Sequence, residues 1–537
     1  MKQIFFCIWL LLTTVPLFSE TEFKFRVWLK DKAGTPYSTD YPADFLSEKA
    51  IERRKSQQIR IDETDLPVNP AYVHQIINTG VKEITRSRWM NTVVISSPDS
   101  SSASRISALP FVKKIDLVWK TPENEGTSIA YEGKSFRKQK NYSDYGDALY
   151  QIAIHNGDKL HTAGFTGEGM TIAVIDAGFM NIDRNPLFDN RKIIGTHNFV
   201  SPDIDPYVAG NHGALVLSAM AAEKKGTFIG SAPKARYWLL CSEDEHSEFP
   251  IEEDLWTTAA EFADSAGVDI ISSSLGYFKF DIPELNYNQL NLDGKTAFIS
   301  RAATIGSQKG MIIVNSAGNE GNNEWKKILF PADVENILTV GGIDRNMNPS
   351  EFSSFGYTSD LRVKPDVVSI GTNTTLVGLD GTILQSDGTS FATPVISGLT
   401  ACLWQALPHL SAQEIIKLIR KNSSQYNNPD PQKGYGTPDM YAAYRQAVSE
   451  LKKNNTEPLS VYYDTSNNEG MLILQNIPEN GQQYNVSIYT AQGTLKTVLR
   501  LQEACQTIST RDFAPGLYIV QVQGYGININ SKFIKPW

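Results

Sequence analysis

The sequence predicts an α/β protein: an open parallel sheet with helices on both faces, preceded by a small α+β unit and followed by a small all-β sandwich. Three observations lead there. Short apolar runs alternate with helical segments between residues 149 and 450, helical patterning stops beyond Glu450, and residues 20–120 carry a mixed strand and helix pattern of their own. With 537 residues, one core would not serve. A content of 41% hydrophobic and 20% charged residues, with 38 Gly and 26 Pro in no repeat, excludes a disordered, collagenous or coiled-coil chain. The net charge of −9 offers no footprint for a polyanion, so nucleic acid is not expected as a partner.

In chain order, residues 1–19 come first: Lys2, an apolar run from Ile4 to Leu12, then Pro16 and Ser19 before the acidic Glu20 and Glu22. That order reads as a secretory signal peptide, and the expected location is secreted or at the cell surface. The run falls short of the roughly 20 residues that span a bilayer, and no later stretch of that length lacks charges, so no stable membrane span is expected. Cys7 would leave with the signal. Cys241, Cys402 and Cys505 would remain, too few and too scattered for a disulfide framework or a metal cluster.

In residues 20–120, the apolar residues Phe23, Phe25, Val27 and Leu29 fall at every second position, the period of a half-buried strand. Helices are expected over about Ala43 to Ser56 and Pro70 to Asn78, and strands over Val93 to Ser96 and Phe111 to Val118. Residues 121–148 are polar, aperiodic and mixed with Pro, Gly and Ser, which marks a linker open to cutting. In 149–450 the runs Thr171–Ile175, Arg236–Cys241, Val268–Ser272, Met311–Asn315 and Ile337–Val340 are expected as parallel strands. Ser411 with Glu414 forms a capping box, and Thr437 before Pro438 reads as a cap and first-turn proline. From residue 457 to 537 the short runs are strands broken by Asn, Gly and Pro.

Three segments of the α/β region end a strand or open a helix with a reactive residue: Asp176 after Thr-Ile-Ala-Val-Ile, His212 before Gly-Ala-Leu-Val, and Ser390 within Gly-Thr-Ser-Phe-Ala-Thr-Pro. Ligands of open α/β sheets bind at the carboxyl ends of strands. A serine hydroxyl becomes a nucleophile when an imidazole takes its proton, and the imidazole needs a carboxylate to hold its tautomer. Asn319, after Met-Ile-Ile-Val-Asn-Ser-Ala-Gly, would emerge at the same edge and could donate to an oxyanion beside the helix-start amides at Ser390. The other six histidines, His74, His155, His161, His197, His246 and His409, lack such company and are read as structural.

Val-Ile-Asp-Ala-Gly, His-Gly-Ala-Leu-Val, Ser-Ala-Gly-Asn-Glu-Gly and Gly-Thr-Ser-Phe-Ala-Thr-Pro occur in that order, and in them the chain resembles the subtilisin-like serine proteases, the subtilases, over residues 149–450. The resemblance implies a subtilisin-like fold and a serine endopeptidase acting on protein or peptide substrates through Asp176, His212 and Ser390, with Asn319 assisting. It also implies that Ser274, Leu275 and Gly276, with Ser316, Ala317 and Gly318, line the substrate cleft. Residues 20–120 look like the pro-region that assists folding of such enzymes and occupies the cleft until removed. The C-terminal segment, with Pro515-Gly516-Leu517-Tyr518-Ile519-Val520, looks like the sorting domain read by the type IX secretion system of Bacteroidetes, which implies secretion machinery as a partner. Two departures stand out: Ala177 replaces the usual Thr or Ser, so one hydrogen bond to the aspartate is expected to be missing, and Ala214 and Leu215 replace Thr and His.

Asp203, Asp205 and the acidic run Glu243 to Glu245 could hold a structural calcium but are read as solvated loop charges; no metal and no cofactor is assigned. Two other functions compete with the endopeptidase. One is a catalytically silent surface protein holding a peptide on the same scaffold, motivated by Ala177 and Ala214. The other, a serine esterase of another fold, is disfavoured because Gly388 to Ala392 lacks the second glycine of a nucleophile elbow and the chain order is Asp, His, Ser.

Overall fold

The computed structural model describes residues 21–122, 134, 143–454, 460–464, 471–475, 483–501, 506–524 and 527–535. The expected signal peptide and most of the expected linker lie outside these residues.

The central sheet has seven strands: β5 (Thr171–Asp176), β6 (Ile193–Asn198), β7 (Arg236–Cys241), β8 (Ile270–Ser273), β9 (Ile312–Ser316), β10 (Leu338–Ile343) and β11 (Val367–Ile370). Their order is β11-β10-β9-β8-β5-β7-β6, and every neighbouring pair is parallel. A parallel sheet is covered on both faces, which is why its strands are continuous apolar runs. Along β5 the side chains divide: Ile172 and Val174 enter one core, Ala173 and Ile175 the other. The first core is closed by helices α4 (His212–Ala221) and α7 (Thr389–Ala406), the second by α5 (Ile251–Ser265) and α6 (Phe298–Gln308). The fold is thus the subtilisin-like open sheet with helices on both faces.

Two sheet strands escaped the sequence reading. β6 is a half-exposed edge strand ending in His197 and Asn198, and β11 is four residues long behind Pro365 and Asp366. The capping box at Ser411 opens helix α8 (Ala412–Lys421) as expected. Thr437 and Pro438 do not open the next helix: α9 (Met440–Asn454) starts later, Asp439 caps it through Ala442 N, and Pro438 bridges Ser423.

Ahead of this sheet, β1 (Phe23–Leu29), β2 (Lys82–Ser87), β3 (Thr92–Ser97) and β4 (Val112–Lys120) form an antiparallel sheet in the order β2-β3-β1-β4. Of the two expected helices, Pro42–Asp44 is a separate 3-10 turn before α1 (Glu48–Ser56), and α2 (Pro70–Ile77) packs on the sheet with α3 (Ser102–Ser107). The alternation in β1 reads as half-buried, yet its polar face is covered too. Arg26 Nε donates to Asp254 Oδ1 of α5 at 2.7 Å, and Trp28 meets Phe298 of α6 edge-on with centroids 5.6 Å apart. The small sheet therefore lies against the two helices covering one face of the large one.

The C-terminal strands Ser460–Asp464, Met471–Gln475 and Gln506–Ser509 form one sheet, and Tyr484–Thr490, Leu495–Leu501, Gly516–Gly524 and Ile527–Lys535 the other. Leu472 and Leu474 of the first share one core with Val486, Ile488, Val520 and Val522 of the second. Among the described residues, no helix is long and apolar enough to cross a membrane.

Candidate active site

Asp176 is the last residue of β5, so its carboxylate emerges where the buried run ends at the carboxyl edge of the sheet. His212 opens α4 directly beside it. Gly213 makes that approach possible: a Cβ there would lie 2.5 Å from the Gly178 carbonyl oxygen and 2.8 Å from the Asp176 Cβ. His212 Nδ1 and Asp176 Oδ1 are 2.7 Å apart, both side chains buried, and the ring sits 5.7 Å from that of Phe391. Burial alone would lower the imidazole pKa. The Asp176 charge and hydrogen bond, with Glu245 and Glu243 nearby, reverse that and hold it above the ordinary histidine value of 6.5.

Asp176 accepts the Ala177 amide on Oδ1 at 2.8 Å, while Oδ2 is buried and without a hydrogen-bond partner among the described residues. The bond expected to be missing at Ala177 is thus missing at a defined atom. Ala214 and Leu215 pack into the core under α4.

Ser390 lies in the first turn of α7, where backbone amides have no intrahelical acceptor. Gly388 delivers it from a φ of +152°, a conformation that L side chains rarely adopt. Ser390 Oγ donates to the Ser274 carbonyl at 3.3 Å, and Ser274 Oγ donates back to the Ser390 carbonyl at 2.8 Å. Asn319, exposed after β9, accepts the Thr389 amide and hydroxyl on Oδ1, each at 2.9 Å.

Asn319, His212 and Ser390 border one cleft of about 780 Å3. Of the residues expected to line it, Ser274, Leu275, Gly276, Ser316 and Gly318 do. Ala317 does not: its side chain is buried in the core, its amide donates to Val340 at 2.9 Å and its carbonyl accepts from Leu329 at 3.0 Å. Lys120 and Pro122, where β4 ends, reach the same cleft.

The acidic stretch is not the set of solvated charges expected. Glu243, Glu248 and Glu252 bring carboxylate oxygens within 4.8 Å of one another, with Glu243 accepting from Tyr277 Oη at 2.7 Å. Burial pushes Glu243 up to about 8, with the Asp176 and Asp244 charges adding to it, and Glu248 up to about 9, with the Glu243, Asp281 and Asp244 charges adding to it. Of the described residues, these three form the group able to surround a cation. The density of acids was visible in the sequence; that α5 starts beneath the loop and buries it was not. Leu329, which also borders the cleft, carried no local signal.

Residues 167–436 match the model of the subtilase family, and residues 24–132 match that of the Peptidase S8 propeptide domain of Bacteroidota. The Thermophilic serine proteinase of Bacillus sp. (strain AK1) is 28% identical over 316 residues, 58% of this chain and 67% of that protein. Serine protease AprX of Bacillus subtilis (strain 168) is 27% identical over 307 residues, 52% of this chain and 65% of that protein. The chain thus spans about two thirds of the length of each. The crystal structure of MycP1 from Mycobacterium smegmatis is 22% identical, covers 60% of this chain and 89% of its own, and superposes with a TM-score of 0.46.

Proposed function

The chain belongs to the subtilase family of serine endopeptidases, and from that premise we propose that it hydrolyses peptide bonds by acyl transfer, with Ser390 as nucleophile. His212 acts as base and then acid, Asp176 holds the imidazolium, and Asn319 with the Ser390 amide receives the oxyanion. The observation that carries this reading is the 2.7 Å contact between Asp176 and His212 at the edge of a cleft that Ser390 and Asn319 share. For attack, the Ser390 hydroxyl leaves the Ser274 carbonyl and gives its proton to His212 as the bond from Oγ to the substrate carbonyl carbon forms. Collapse breaks the carbon–nitrogen bond and returns that proton to the leaving amine. Water then repeats the sequence and frees Ser390.

Protein or peptide substrates lie extended along Ser274–Gly276 and Ser316–Gly318, pairing through main-chain groups. The chain's own pro-region is the first occupant: β4 ends with Lys120 at the cleft, so cleavage beyond Pro122 would release it. The apolar residues 4–12 and the C-terminal β-sandwich support export, to the medium or the cell surface, by a machinery that reads the sandwich. No cofactor is required by this chemistry.

A silent peptide-holding role is favoured by one observation, that Oδ2 of Asp176 has no hydrogen-bond partner among the described residues. A fluorophosphonate probe with wild type and Ser390→Ala decides. Labelling and casein cleavage that both vanish in Ser390→Ala support the peptidase; cleavage that survives in the variant sinks Ser390 as nucleophile, and absence of labelling in wild type leaves the silent role.

A further inference from the structure

We infer that Leu329 closes the side-chain slot beside the reacting bond, so that this enzyme accepts only small residues, Gly, Ala or Ser, on the acyl side of the bond it cuts. The inference rests on Ser390 being the nucleophile and deepens that reading.

The slot is framed by Gly276 and Gly318, the ends of the two extended segments bordering the cleft. One segment is joined to Ser390 through Ser274, and the other leads directly into Asn319. A substrate carbonyl placed between Ser390 and Asn319 therefore directs the side chain of its own residue between those two glycines. Backbone at both positions without side chains would leave a deep slot. Here the space is taken. A Cβ on Gly276 would lie 2.7 Å from Leu329 Cβ, and one on Gly318 would lie 2.5 Å from Leu329 Cγ and 2.9 Å from its Cδ1. The leucine side chain thus fills the gap from wall to wall and shows only 8% of its surface.

Leu329 is also held. Its amide donates to Ala317 at 3.0 Å, its carbonyl accepts from Ala332 at 2.8 Å, and the next residue, Phe330, exchanges both main-chain hydrogen bonds with Tyr277 at 3.0 and 3.1 Å. Backbone locked to both segments cannot carry the side chain out of the way. An aromatic or long aliphatic substrate side chain would have to displace buried methyl groups, and a methyl or hydroxymethyl would not.

The test uses peptide p-nitroanilides that differ only in Ala or Phe before the scissile bond, with the mature wild-type enzyme, Leu329→Ala and Leu329→Gly. Wild type is expected to favour Ala in kcat/KM by about tenfold or more, and each variant to shift the Phe-to-Ala ratio upward by about tenfold or more. Wild type cleaving Phe as well as Ala, or variants with an unchanged ratio, overturn the inference. Active-site labelling separates the levels. A labelled wild type that refuses both substrates overturns the slot alone, whereas an unlabelled one overturns the Ser390 reading and the slot with it. Should both variants fail to fold, the wild-type cleavage sites in a denatured protein mixture, read by mass spectrometry, decide: large residues before the cut overturn the inference and small ones support it.

Discussion

Ala177 gives its amide to Oδ1 of Asp176 at 2.8 Å and has no side-chain donor for the buried Oδ2, which has no hydrogen-bond partner among the described residues. An unpaired buried acceptor costs free energy, and a hydroxyl at position 177, which borders the open cleft, would supply the partner. Ala177→Ser is expected to raise kcat/KM by roughly fivefold, the worth of about 1 kcal/mol from a net hydrogen bond. Steady-state kinetics on one peptide substrate check this, and a drop in kcat/KM would show an Oδ2 without that partner to be needed.

Asn319 is anchored through its oxygen to Thr389, so only its amide nitrogen is available to a developing charge. Asn319→Ala should lower kcat by about a hundredfold or more with KM little changed. An effect confined to KM would place Asn319 in ground-state binding instead.

The acid limb of activity follows from the charges around His212. Asp176, Glu245 and Glu243 all favour the imidazolium, against burial, and the base must be neutral to act. The limb in kcat/KM is therefore expected above pH 6.5. Removing a negative charge destabilises the imidazolium, so Glu245→Gln should move the limb toward lower pH. A limb that stays in place would remove Glu245 from the account.

Asp264 of α5 receives three guanidinium groups of the pro-region: Arg53, Arg54 at 2.7 Å and Arg88 at 2.9 Å. All lie in buried surroundings, and the Asp264 carboxyl is held below the ordinary aspartate range because these charges outweigh its burial. Removing the carboxylate would strand buried cations, which costs about 3–5 kcal/mol. In the uncleaved Ser390→Ala background, Asp264→Ala should lose stability on that scale in denaturant unfolding. A loss within error would mean that apolar contacts such as Trp28 on Phe298 hold the pro-region by themselves.

What could be read from sequence, and what could not, divides by range. Asp176, His212, Ser390 and Asn319 each follow a buried run or open a helix, so local pattern and residue chemistry sufficed. Leu329 matters only because Gly276 and Gly318, far away in sequence, face each other across it. Arg26 and Trp28 sit on the face of β1 that its alternation assigns to solvent; helices α5 and α6 cover them, and no period within seven residues encodes that. The acids after β7 depart from the solvated state their composition predicts for the same reason, since burial by α5 sets their charge.

That burial has a pH signature. Glu248 lies beside Glu243 and Glu252, and desolvation, with the charges of Glu243, Asp281 and Asp244, pushes its pKa from 4.5 up to about 9. A carboxyl whose folded value exceeds its unfolded one makes the folded chain bind more protons between those limits, so stability falls as pH rises from 4.5 toward 9. Glu248→Gln keeps the shape and removes the titration. Its thermal midpoint relative to wild type should be raised more at pH 9 than at pH 5, measured in Ser390→Ala protein to suppress self-cleavage. An equal difference at both pH values would mean that Glu248 is ionised throughout in the folded chain, as it would be if a bound cation neutralised the cluster.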